Sequence, residues 1–340
     1  QILKATAPQP LRAINFAAGP YTILSRQLNN LTLYSYFFKE DEDLAPAYLD
    51  KAVEYITRYE ALIGPFPYKR YSIVENRLPT GYGMPGFTLL GQAVVRLPFI
   101  KDISLGHEVL HSWFGNAINN DAGGNWCEGL TTLLADQTYA QEKGHSAAYR
   151  KNQLLRYQAY IGQENEVAVL DFQHGGDSQP MARKMRAVSY DKVSMLFHSL
   201  RREIGDAHFF AALRQFYQDR KYAQANWSDL ENTFAATSGR DLSQFFSQWL
   251  ARTDIPSFTV EQVGMEQKGG SSEVSFHIVQ NTAKPYSFRL PIAVKTRLET
   301  ISETISIDSA DQEVTITVPS LPIELVIDPE YDLMRTLDTK

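Results

Sequence analysis

A chain of 340 residues is longer than one ordinary core requires and fits two domains. Apolar residues supply 44% of it and charged residues 21%, with eighteen Tyr and eighteen Phe as core material. A net charge of −6 with no Lys/Arg block argues against a nucleic-acid or anionic-membrane partner, the absence of an eighteen-residue apolar run argues against a membrane span, and Cys127 as the single cysteine excludes an intrachain disulfide.

Residues 1 to about 40 read as short strands: "YTILSRQLNNLTLYSYFF" is rich in β-branched and aromatic residues, with Asn29-Asn30 as its turn. No signal-peptide pattern is present, and Gln1 in place of Met predicts a processed or excised chain. Pro46 opens a helical pattern through Tyr59, with Tyr48, Leu49, Ala52, Val53 and Ile56 on one face. "YSIVEN" and "FTLLGQAVVRL" read as strands joined by the Gly/Pro-rich "RLPTGYGMPG".

From Ile103 to Leu250 the periodicity is helical, with segments near 105–115, 127–143, 146–162, 190–204, 206–220, 227–237 and 241–250. Ser228-Asp229-Leu230-Glu231 has the form of a capping box, and Gly239 separates the last two helices. Glu164 to Ser189, with Gly175-Gly176 and Pro180, reads as a long polar loop. From Pro256 the texture changes: Val274, Phe276 and Ile278, then Val314, Ile316 and Val318, alternate with polar residues, which predicts a small β-sandwich.

One stretch carries chemistry. His107-Glu108-Val109-Leu110-His111 has the H-E-x-x-H form. Residues i and i+4 of a helix share a face, so both imidazoles can reach one ion, while Glu108 projects beside them, where a general base belongs. A catalytic zinc needs a third protein ligand, and Glu128 in "NWCEGLTTLLADQ" is the best candidate, reached through the Gly/Asn-rich "GNAINNDAGGNW". The plain alternative is a core helix whose histidines are satisfied by hydrogen bonds. Cys127, adjacent to Glu128, projects about 100° away and reads as a buried thiol. The histidines at 145, 174, 198, 208 and 277 lack partners at ligand spacing.

"HEVLHSWFGN" followed by "NWCEGL" resembles the zinc aminopeptidase family that includes aminopeptidase N, of the gluzincin clan. The likeness covers residues from about 45 to 330 and is strongest between 103 and 204. The sixteen residues between His111 and Glu128 form a slightly shorter connection than that family usually has. "SYDKVSMLFHSLRREIGDAHFF" resembles its Tyr-Glu/Asp-Lys-Gly segment, and by that match Tyr190 is the tyrosine that donates to the developing oxyanion; the alternative is a tyrosine that packs at a helix start. The family's exopeptidases carry Gly-x-Met-Glu-Asn upstream of the zinc helix, where the Glu holds the substrate's free amine. This chain instead reads Gly81-Tyr82-Gly83-Met84-Pro85-Gly86, and Glu75-Asn76 lie too far upstream to match.

The resemblance implies an α+β fold: a thermolysin-like catalytic domain over residues 41–254 with a small β-sheet lobe and a helical lobe, a β-sandwich over 255–340, and strands in 1–40 left from an upstream β-domain. It implies one Zn2+ held by His107, His111 and Glu128, with Glu108 as general base and Tyr190 as oxyanion donor. A peptide or protein substrate would lie along Gly83 and Met84. The rival reading is a non-catalytic binding scaffold that keeps zinc for structure. Exo- or endopeptidase action, compartment and oligomeric state are not encoded in these motifs.

Overall fold

The computed structural model describes residues 9, 14–79, 81–121, 123, 125–161, 166–173 and 179–337. The chain forms two compact units, the first built from Gln1–Ala122, Trp126–Tyr139 and Ala207–Arg240, the second from Gly123–Asn125, Ala140–Asp206 and Asp241–Lys340.

The first unit begins with a hairpin, β1 (Tyr21–Leu28) and β2 (Leu31–Phe38), turned at Asn29. Asn29 takes the left-handed φ of 51° that this two-residue turn demands. The hairpin joins β3 (Arg70–Asn76), β4 (Gly81–Met84) and β5 (Phe87–Gly91) in one sheet of order β1-β2-β3-β5-β4. Strands β2, β3 and β5 run parallel, whereas β4 pairs antiparallel with β5 and forms the outer edge.

Helix α1 (Ala45–Leu62) buries Tyr48, Leu49, Ala52 and Ile56 as its spacing predicts, leaves the expected Val53 only half-buried, and adds Tyr55 and Tyr59. The strand expected to continue through "GQAVVRL" ends at Gly91, and Gln92–Val95 forms a helical turn, α2. Buried Asp41 supplies the reason. Its carboxylate accepts from Gln92 Nε2 at 3.0 Å and from Arg96 Nε and Nη2 at 2.8 Å each. Residues four apart are about 13 Å apart along a strand but about 6 Å along a helix, so one carboxylate can hold both only if the chain coils.

Helix α3 (Ser104–Leu110) is shorter than the periodicity suggests, because the chain leaves the helix after His111. The next residues cross to β6 (Asn119–Asn120), which pairs in parallel with β7 (Gln224–Ala225). Helix α4 (Trp126–Thr131) passes into a π-helical turn at Thr132–Gln137 and then into α5 (Thr138–Glu142). Helices α9 (Asp206–Arg220) and α10 (Trp227–Ser238) complete the region. The capping box at α10 lies two residues before the expected one. Asn226 accepts from Asp229 N, and Asp229 Oδ2 accepts from Asn226 N, both at 3.0 Å. The short Asn amide ends β7's connection and starts the helix in a single residue.

Two anchors fix the motif helices of this unit. Trp113 donates to Gly64 O at 2.9 Å and packs edge-on against Tyr59 and Phe66. Trp126 donates to Ala225 O at 3.2 Å and packs edge-on against Phe114 and Phe216. Beneath α3, Tyr59 donates to Gly106 O at 3.1 Å and bonds the Tyr139 hydroxyl. A side chain at position 106 would occupy the place of that hydroxyl, so only glycine lets α3 settle there.

The second unit holds α6 (Ser146–Tyr160), α7 (Gln179–Met185), a π-helical turn at Arg186–Lys192, α8 (Val193–Ile204) and α11 (Ser243–Ala251). The polar segment read as a loop up to Ser189 is thus helical from Gln179 onward. Buried Ala187, Val188 and Ser189 show that its second half packs, a pattern hidden by the polar Arg183, Lys184 and Arg186 around it. His174, Gly175 and Gly176 lie outside the described residues.

Six strands complete the second unit: β8 (Phe258–Lys268), β9 (Ser271–Gln280), β10 (Phe288–Thr296), β11 (Thr300–Ile307), β12 (Asp311–Val318) and β13 (Pro322–Ile327). They form two three-stranded sheets, β12-β9-β8 and β11-β10-β13, with Phe258 of one stacked on Phe288 of the other at 5.7 Å. Strict in-out alternation along β9 and β12 buries Val274, Phe276 and Ile278 beside Val314, Ile316 and Val318, the face expected for a sandwich. The architecture is α+β with a β-rich C-terminal part.

Candidate active site

His107 and His111 project from one face of α3 and its C-terminal end, with ring centroids 4.9 Å apart. Glu128 enters from α4, and its Oε2 lies 3.3 Å from Nε2 of both histidines. The three donor atoms all fall within 4.8 Å of one another. Four ligands around Zn2+ at about 2.0–2.1 Å are separated by about 3.3–3.4 Å. The two His–Glu edges therefore already have the spacing of a tetrahedral site, and two imidazoles with a carboxylate are a donor set zinc accepts.

Each imidazole is oriented from behind. His107 Nδ1 meets Asp136 Oδ2 at 3.1 Å, and His111 Nδ1 meets Phe114 O at 2.9 Å. With Nδ1 engaged, Nε2 of each ring faces Glu128, the arrangement that metal-binding histidines require. The electrostatics favour positive charge at this point. Burial pushes the His107 imidazole down, but Asp136 and Glu128 outweigh it and hold it well above the usual value. Burial likewise lowers His111, and Glu128 reverses the sign. For Glu128 burial pushes upward, but His111 and His107 hold the carboxyl well below its ordinary range.

Asp136 carries no motif in the sequence, and geometry explains why. It lies eight positions after Glu128, which on a regular α-helix leaves the two about 80° apart. The π-helical turn at Thr132–Gln137 absorbs one extra residue, so that eight positions act as about seven, close to two full turns. Asp136 thereby returns to the face of Glu128 and reaches His107. A buried π-turn leaves no trace in an apolar pattern such as "TTLLA".

The outer strand β4 lies directly against α3. A Cβ at Gly83 would stand 2.7 Å from His111 Cβ, 2.9 Å from Glu108 O and 3.2 Å from Glu108 Oε2, and one at Gly81 would stand 3.6 Å from Glu108 Oε1. Glycine at 83 is a condition of this approach, because the backbone oxygen cannot yield. The Glu108 carboxylate consequently sits at the sheet edge, next to the imidazole pair. Met84 is half-buried at the end of the strand, and Tyr82 is exposed. Asn116, also absent from the sequence reading, donates from Nδ2 to Gly83 O at 3.1 Å and to His111 O at 2.9 Å.

Cys127 is buried and stands outside the donor cluster. His198 pairs with Asp332 at 2.8 Å and His277 with Asp311 at 2.7 Å. Tyr190 belongs to the second unit, half-buried in the π-helical turn Arg186–Lys192, with the Arg186 guanidinium 5.1 Å from its ring centre. Buried Lys192 of the same turn donates to Arg252 O at 3.1 Å.

Strand edge, paired imidazoles, incoming carboxylate and adjacent Glu108 are the parts that a metallopeptidase site needs. Residues 102–249 match the model of the peptidase family M1 domain. It is 25% identical over 168 residues to aminopeptidase N of Lactococcus lactis, covering 47% of this chain and 19% of the relative. It is 28% identical over 204 residues to human aminopeptidase RNPEPL1, covering 56% of this chain and 28% of that protein. The chain thus spans less than a third of the length of these relatives. A solved structure of Legionella pneumophila aminopeptidase A, in complex with aspartic acid, shares the fold with a TM-score of 0.71 at 16% identity, over 95% of this chain and 39% of the other.

Proposed function

We propose that the chain is a zinc-dependent peptidase in which His107, His111 and Glu128 hold one Zn2+. The observation that carries this reading is the pair of 3.3 Å contacts from Glu128 Oε2 to both Nε2 atoms, with Glu108 beside them against an open strand edge. Zinc in such a site supplies a Lewis acid that polarises a carbonyl and acidifies water. Glu108 accepts the proton of the attacking water and delivers it to the leaving nitrogen. Tyr190 donates its phenol hydrogen to the oxyanion; the support for this role is the resemblance of "SYDKV" to the family's tyrosine segment.

A peptide adds to the edge of β4 by backbone hydrogen bonds, passing Gly83 and Met84. Strand β4 offers no carboxylate to pair with a terminal ammonium, and an unpaired buried ammonium is strongly disfavoured. The curated relatives are named as aminopeptidases. We infer that in this chain selection of a free amino terminus is not made by β4. The test is product mapping by mass spectrometry on matched free and N-acetylated peptides, with and without a chelator. Comparable, chelator-sensitive cleavage of both forms is expected. Cleavage of free peptides alone would show that a carboxylate elsewhere binds the amine. Absence of cleavage in the zinc-loaded protein would favour a non-catalytic scaffold, the reading to which the altered β4 lends its one support.

A further inference from the structure

Asn116 bridges two elements that the proposed chemistry needs in register. Its carboxamide nitrogen has two hydrogens, and both are used: one on the carbonyl of Gly83 in β4, the other on the carbonyl of His111 at the end of α3. Both partners are acceptors only, so the amide orientation is fixed by chemistry. The His111 carbonyl belongs to the last turn of α3, where helical carbonyls lack partners in their own helix. The Gly83 carbonyl belongs to an outermost strand of four residues, paired on one side only among the described residues. Steric contact sets how near β4 comes to α3, through the missing side chain at Gly83. It does not set how β4 slides along α3; a directional hydrogen bond does.

We propose that Asn116 is a positioning residue that locks the peptide-aligning edge of β4 to the histidine helix. This rests on the reading of β4 as the strand that receives the peptide. Through Nδ2 Asn116 bonds two backbone carbonyls rather than the three donor atoms. Its removal leaves the metal held by His107, His111 and Glu128 and frees β4 to shift, so ligands that use the strand lose affinity while ligands that reach only the metal do not.

The experiment compares the zinc-loaded full chain with Asn116→Ala, which removes the donor, and Asn116→Asp, which keeps the shape and places oxygens against both carbonyls. The two variants keep the test available where one of them fails to fold. The probes are acetohydroxamate, which reaches the metal alone, and a tripeptide hydroxamate long enough to lie along β4. About tenfold weaker binding of the tripeptide hydroxamate is expected in Asn116→Ala, and more in Asn116→Asp, with acetohydroxamate affinity and zinc stoichiometry unchanged. Equal losses for both probes, or loss of zinc, would make Asn116 a structural residue and overturn the proposal. Unchanged binding of both probes would overturn it as well, as would a parent protein that gains nothing from the peptide portion. Where the parent binds the tripeptide hydroxamate through β4 and still hydrolyses no peptide, the peptidase reading fails and the positioning role of Asn116 is decided by the variants alone.

Discussion

The carboxylate of Asp136 stands 3.1 Å from Nδ1 of His107, on the side of the ring away from Glu128. That contact selects the tautomer in which Nδ1 carries the proton and Nε2 offers its lone pair. It also makes the ring a stronger donor. Replacing Asp136 by Ala should weaken zinc binding by about 10- to 100-fold. Competition with a chromophoric chelator measures this directly, and an unchanged zinc affinity would remove Asp136 from the supporting role.

Glu108→Gln should retain stoichiometric zinc and lose at least about 10²-fold in turnover, because the amide cannot accept a proton. Tyr190→Phe should lower kcat more than it raises KM, as expected for a donor that acts only on the developing oxyanion. Steady-state kinetics on one cleaved peptide checks both. An increase in KM alone for Tyr190→Phe would make it a binding residue.

Gly83→Ala places a methyl within 3 Å of His111 Cβ and of the Glu108 carbonyl, neither of which is a flexible chain end. Strand β4 must then move away from α3. A loss of about 1–3 kcal/mol in stability is expected, with a larger proportional loss in peptide affinity. Denaturant melts and tripeptide hydroxamate binding read the two effects. A variant with parental values in both would show that β4 is not confined by this contact.

Glu75 gives a pH signature to the first unit. Its side chain is fully buried in β3, and one carboxylate oxygen accepts from Phe38 N at 2.7 Å. Burial, aided by the neighbouring Asp41 carboxylate, pushes its pKa up to about 6 from an ordinary 4.5. A carboxyl raised on folding favours the folded state when protonated. Its contribution is complete below pH 4.5 and is lost as pH rises through 6. Asp41, held down by Arg96, acts in a lower window, losing its contribution only as pH falls below the ordinary carboxylate range. Glu75→Gln should therefore melt a few degrees higher than the parent at pH 8, with the gap closing toward pH 5. Parallel melting curves across that range would show that Glu75 carries no such penalty.

The three side chains that cluster at the proposed metal position were legible as candidates because they obey short periodicities. His107 and His111 are one helical turn apart, and Glu128 stands at the head of the next helix behind a Gly/Asn-rich reversal. The alternation along β9 and β12 marked the sandwich in the same way. Other features were invisible for stated physical reasons. Gln92–Val95 coils because Asp41, more than fifty residues earlier, binds both Gln92 and Arg96. Asp136 reaches His107 through a π-turn that changes the helical phase without changing the hydrophobic pattern.

By itself the sequence determined which atoms could coordinate a cation and which carboxylate could move a proton, since both follow from residue type and local spacing. Tertiary structure alone decided what orients those atoms. Asp136 behind one imidazole, the Phe114 carbonyl behind the other, and Asn116 between α3 and β4 are all brought into place by contacts between separate segments, and no period within one segment encodes a contact with another.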